Sequence, residues 1–137
     1  MNTVLQFFCP LWGNEKMPFI KFLSNVKNAG YDGVEMSLPM DESKRIEIAA
    51  AVQSHGLELI GQHWETADCD FDTHLTNYTR RLENLAAARP LFINSQSGKD
   101  YYSMDQNIAL ISAAAEIEAL TGVKIIQIGR ASCRERV

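Results

Sequence analysis

The sequence is poor in the features that mark specialised protein classes. Three cysteines, Cys9, Cys69 and Cys133, form an odd set with no CxxC pair. That excludes a disulfide framework and a zinc knuckle, and leads us to expect a reduced, cytoplasmic setting. Lysine and arginine number 13 against 17 aspartates and glutamates, a formal net charge of −4. General nucleic-acid binding needs a basic surface, so no nucleic-acid partner is expected. No apolar run reaches the roughly eighteen residues that cross a bilayer, so no membrane association is expected. The start, Met1-Asn2-Thr3-Val4-Leu5, lacks the basic and apolar regions of a signal peptide. Neither GxGxxG nor GxxxxGK[ST] occurs, and the stretch Cys9 to Asn14 holds a single glycine. A dinucleotide-binding fold and a P-loop enzyme lose support accordingly.

What is present is a rhythm. Apolar segments recur at a pitch of roughly thirty residues: Thr3–Phe8, Gly33–Ser37, Leu57–Gly61, Leu91–Asn94 and Val123–Ile126. Helix-period stretches lie between them. The first runs from near Met17 to Ala29, with Phe19, Leu23 and Val26 on one face, Pro18 in its first turn and Gly30 at its exit. The second spans about Glu42 to His55, with Ile48, Ala51, Val52 and His55 sharing a face. In the third, Asp72 is available as a cap, the stripe is Leu75, Tyr78, Leu82, Leu85 and Arg89, and Pro90 ends it. Ser103 and Gln106 fit a capping box for the fourth, whose stripe reads Met104, Ile108, Ile111 and Ala115 before Gly122. The order β-α-β-α-β-α-β-α-β predicts an α/β fold with a parallel sheet.

The loops following strands one, three and four are longer and more polar than the glycine turns leading into strands. Parallel β/α folds carry their chemistry on such loops, at the carboxyl ends of strands. Glu35 and Ser37 alternate with Val34 and Met36. If the apolar pair meets the helices, Glu35 points to the other face. There it needs a partner, a metal or water, and either chemistry or a bond to a neighbouring strand would satisfy it. His63 closes the third strand, where an imidazole could bond a substrate oxygen or, as a weaker candidate, ligate a metal. His55, at a helix end, suits the helix dipole, and His74, in a first helical turn, is expected to face solvent. The loop Asn94 to Tyr102 could bind a polyhydroxylated ligand through neutral hydrogen bonds, or be an ordinary surface loop. Trp12 and Trp64 could stack on a sugar or simply pack.

The stretches Tyr31–Glu35, Gly56–His63 and Phe92–Tyr101 resemble the xylose-isomerase-like TIM-barrel superfamily. The resemblance covers about residues 3 to 126, in order and without large gaps. It is fairly specific for the superfamily and poor for the substrate. It implies a (β/α)8 barrel that isomerises or epimerises small sugars with a divalent metal (Mg, Mn, Co or Zn) at its carboxyl-end face. The family's usual metal ligands come from strands five to eight, starting with a glutamate at the end of strand five. Here Ile128 stands at that place, and the arginine-rich end looks unrelated to the family. Apurinic-site endonucleases share the superfamily, but their histidine at the end of strand four is replaced by Asn94-Ser95-Gln96.

The expectation is therefore a partial barrel of four β/α units plus strand five over residues 1–128, with 129–137 a non-native or disordered tail. The parent activity is metal-dependent aldose–ketose isomerisation or epimerisation. Substrate binding or its support falls to Trp12, Glu35, His63, Asn94 and Gln96. Catalytic groups and metal ligands are expected in a missing half, with no metal held and no turnover by this chain alone. The alternatives are a non-catalytic half-barrel that self-associates through its open edges, an apurinic-endonuclease-like metal hydrolase, and, more weakly, a flavodoxin-like protein with strand order 2-1-3-4-5.

Overall fold

A computed structural model of the chain describes residues 4–99 and 101–128. The proposed tail, 129–137, lies outside the described residues. Strands β1 (Phe8–Pro10), β2 (Gly33–Met36), β3 (Glu58–His63), β4 (Ile93–Ser95) and β5 (Ile125–Gln127) alternate with helices α1 (Phe19–Asn28), α2 (Glu42–Ser54), α3 (Phe71–Ala87) and α4 (Met104–Thr121). The sheet is all parallel in the order β1-β2-β3-β4-β5. Successive right-handed crossovers that always step in one direction place every helix on the same face. The core shows this directly: Leu23, Val52, Leu82 and Leu110 of the helices share one cluster with Val34, Met36, Leu59, Ile93 and Ile125 of the strands. The flavodoxin order 2-1-3-4-5 is thereby ruled out.

Local chemistry sets the helix boundaries. Asp41 caps α2 by accepting from Lys44 N at 2.9 Å. Ser103 and Gln106 form the expected capping box, and Gly122 ends α4 at φ 73°. The cap of α3 is a correction: Asp70, not Asp72, accepts from Thr73 N at 2.8 Å and from its hydroxyl at 2.7 Å. Those two donors hold the Asp70 carboxyl below its ordinary range, the hydroxyl contributing most. Strand β1 begins later than expected, at Phe8. Its ring lies over Gly33, where any side chain would collide with it and with the Glu58 carbonyl.

Helix α4 turns a different face inward from the one its sequence suggests. Leu110, Ala114 and Ile117 are buried, whereas Met104, Ile108 and Ile111 are more than half exposed. The two sets lie roughly a third of a turn apart at 3.6 residues per turn. Because α4 is apolar on both, periodicity alone could not choose between them. A helix apolar on more than one side suits an element covered on both. Among the described residues the sheet edges are similarly bare: Val4, Leu5 and Phe7 lead into β1, and Ile126 and Ile128 lie at the end of β5, all exposed.

Candidate functional site

The loops after β1, β2, β3 and β4 enclose a cleft of about 800 Å³ at the carboxyl end of the sheet. It is lined by Pro10, Leu11, Trp12, Glu15, Met36, Ser37, Gln62, Trp64 and Gln96. Trp12 is 82% exposed and Trp64 54%, so both indole faces are open to a ligand. A second hollow, of about 500 Å³, lies between α2 and α3 near the start of β3 and is bordered by Glu58 and Arg89. It is at the opposite end of the strands from the loops.

The loops around the cleft are tied together from behind. Arg81, on α3, donates to Leu38 O at 2.8 Å and to Glu65 at 2.7 Å. The other contacts of Glu65 are the Ser37 hydroxyl and the Trp64 backbone N–H. One half-buried ion pair thus fixes the ends of β2 and β3 relative to each other. At the lip, Glu15 accepts from Gly13 N at 3.1 Å. Its own backbone N–H, then that of Gly13, hold its carboxyl below the usual carboxylate range.

The expected site residues separate into three groups. Trp12 and Gln96 line the cleft. Glu35 and Asn94 lie on the sheet face away from the helices and bond each other, Asn94 Nδ2 donating to Glu35 Oε1 at 2.8 Å. Neither is among the cleft-lining residues, and Glu35 is matched by this bond to a neighbouring strand.

His63 is a correction. It was expected at the end of the third strand as a substrate-binding residue, yet it is fully buried on the helix side. On β3, Leu59, Gly61 and His63 share one parity, and Leu59 belongs to the helix-side core. His63 Nε2 is 2.7 Å from Thr66 Oγ1, its Nδ1 3.3 Å from Ser95 Oγ, and its ring meets Tyr78 edge-on. His63 is not among the residues that line the cleft. The residue that takes its expected place is Gln62, paired in register with Asn94 and lining the cleft. Strand alternation counted forward from a core-facing Leu59 is the signal that could have found it.

Behind β4 the polar groups form a connected set. Tyr78 OH lies 3.1 Å from Ser95 Oγ and accepts from Gln127 Nε2 at 2.9 Å, while Ser97 Oγ donates to Gln127 Oε1 at 2.8 Å. His74 belongs here too, which overturns its expected exposure. It is fully buried, with Nε2 3.1 Å from Ser97 O and its ring between Tyr78 and Tyr102. Tyr102 donates to Asp68 O at 3.3 Å, and burial pushes its hydroxyl up to about 12. His55 behaves as expected at the end of α2, with Nδ1 2.7 Å from Ala51 O.

Among the described residues, no three His, Cys, Asp or Glu side chains converge to hold a metal ion. Also among the described residues, no helix is long and apolar enough to cross a membrane.

No family model matches the sequence, and no curated protein does either. Solved structures do match. The apo 3-keto-D-glucoside 4-epimerase YcjR of E. coli superposes with a TM-score of 0.64 at 17% identity, over 90% of this chain and 56% of that one. A sugar phosphate isomerase/epimerase of Parabacteroides distasonis gives a TM-score of 0.65 at 11% identity, over 90% of this chain and 54% of that one. The chain thus spans little more than half the length of either neighbour. At such identities the likeness speaks for the fold alone, and the fold is that of part of a (β/α)8 barrel, four β/α units and a fifth strand.

Proposed function

We propose that this chain is the sugar-binding half of an isomerase or epimerase that acts on a small sugar or polyol in the reducing cytoplasm. The reaction is proton transfer beside a carbonyl, through an enediol-type intermediate. The observation that carries the reading is the cleft. Two open tryptophan faces and two neutral amides, Gln62 and Gln96, meet at the carboxyl end of the strands. Flat apolar faces suit the C–H faces of a sugar ring, and amides can both donate to and accept from its hydroxyls. The names of both solved neighbours denote sugar isomerases or epimerases, which agrees with that chemistry.

In this reading the chain's own residues bind and orient. Trp12 and Trp64 bracket the ring, Gln62 and Gln96 meet its hydroxyls, and the Glu65–Arg81 pair holds the loops in place. Glu35, occupied by Asn94, supports the floor. The proton-transferring groups and any metal ligands are assigned to the part of the barrel that would follow β5. The test has two arms. Alone, the chain should turn over no aldose or ketose with Mg, Mn, Co or Zn. Joined to the second half of a neighbour's barrel, it should gain metal binding and turnover. Turnover by the chain alone would overturn the assignment.

A separate observation favours a second reading, a non-catalytic half-barrel that pairs with another copy. Among the described residues, α4 exposes a face of Met104, Ile108 and Ile111, and the sheet ends at β5 on one side and at β1 on the other. Unpaired edges and apolar faces of this kind seek partners. Sedimentation velocity separates the two: a monomer across micromolar concentrations excludes self-association.

A further inference from the structure

We infer that the part of the cleft built by this chain takes an uncharged sugar ring or polyol and rejects a phosphorylated one, with Glu15 as the residue that discriminates. The inference rests on the reading of the cleft as a sugar site and goes beyond it to the charge of the ligand.

The charge inventory of the lining carries the argument. Glu15 is its only ionisable side chain among the described residues; no lysine, arginine or histidine lines it. A phosphate site needs the reverse, a guanidinium, an ammonium or a set of converging backbone N–H groups. Arg81, the guanidinium tied to these loops, bonds Leu38 O and Glu65 and is not among the residues that line the cleft. Lys16, next to Glu15 in sequence, is not among the lining residues. The backbone N–H of Gly13 is turned to the Glu15 carboxylate itself, so the loop that might have cradled an anion already holds one. That carboxylate stays ionised at neutral pH, since its backbone donors lower its proton affinity.

A phosphomonoester brings a charge of about −2. Held roughly 7 Å from one carboxylate in water-like surroundings, it is disfavoured by about tenfold relative to a neutral analogue. Salt weakens the effect, because the Debye length is roughly 8 Å at physiological ionic strength.

The experiment uses the full chain. Saturation-transfer NMR and tryptophan fluorescence follow titrations with methyl α-D-glucoside and with glucose 6-phosphate, at low and at 0.5 M salt. The glucoside should bind with a signal lost in Trp12→Ala, and the phosphate roughly five- to tenfold more weakly at low salt. The gap should narrow below about threefold in Glu15→Gln, which keeps the acceptor for Gly13 N, and also at high salt. Equal or tighter binding of glucose 6-phosphate overturns the inference and leaves the sugar site standing. So does a gap that Glu15→Gln fails to move. Binding of neither compound, or binding indifferent to Trp12→Ala, overturns the sugar site itself and the inference with it.

Discussion

Replacing His63 by alanine should destabilise the protein without altering what its cleft binds. The imidazole is fully buried between Tyr78 and the strands. Its short bond, 2.7 Å to Thr66 Oγ1, and its longer one, 3.3 Å to Ser95 Oγ, are both lost in His63→Ala. A typical intramolecular hydrogen bond contributes about 0.5–1.5 kcal/mol, and the longer bond belongs at the low end of that range. Thr66, also buried, is left without this partner, whereas Ser95 keeps Tyr78. Adding roughly 1–2 kcal/mol for the void left by the ring gives a loss of about 3 kcal/mol. With a urea m-value of about 1.5 kcal/mol/M, the midpoint should fall by about 2 M. His63→Gln, whose amide can reach the position of Nε2, should recover more of this than His63→Asn. The assay is urea unfolding followed by far-UV circular dichroism, with sugar titration of the folded protein alongside. A variant of unchanged stability that had lost sugar binding would refute the reasoning, because it would place His63 in the cleft.

The opposite pattern is expected at Trp12, which is 82% exposed. Trp12→Ala should shift stability by less than about 0.5 kcal/mol, as exposed substitutions do, while weakening sugar binding measured by NMR. At Asp70, the folded-state carboxyl is held below the ordinary aspartate range by the Thr73 hydroxyl and N–H. A depressed folded-state value adds stability that is present above the unfolded value and lost as pH falls through the folded one. The stability difference between the native protein and Asp70→Ala should therefore be constant at neutral pH and shrink as pH falls below about 4. Acid titration of thermal midpoints checks it. Ile108→Lys together with Ile111→Lys should leave the monomer's unfolding midpoint nearly unchanged, since both side chains are more than half exposed. The same pair should abolish self-association, or association with a complementing half-barrel, in sedimentation or pull-down.

The sequence by itself determined the alternation of strands and helices, their parallel order and most of their ends. These follow from local causes. Ser103 and Gln106 make their capping box within one turn, Gly122 supplies the left-handed exit of α4, and alternation along β2 puts Val34 and Glu35 on opposite faces. Only the tertiary structure decided which sides of ambiguous elements turn inward. On β3 a shift of one residue exchanges Gln62 and His63 between the cleft and the core, and the parity was set by Leu59 meeting the helix layer. On α4, apolar around much of its girth, packing against α3 and the sheet selected Leu110, Ala114 and Ile117 over the stripe that begins at Met104. His74 is buried although it sits in a first helical turn, because the chain after β4 folds back over α3 and brings Ser97 O and the Tyr102 ring to it. Local sequence carries the period of an element. Its facing belongs to contacts between residues far apart in the chain, such as Ser97 with His74 and Tyr78 with Gln127, which exist only once the sheet is assembled.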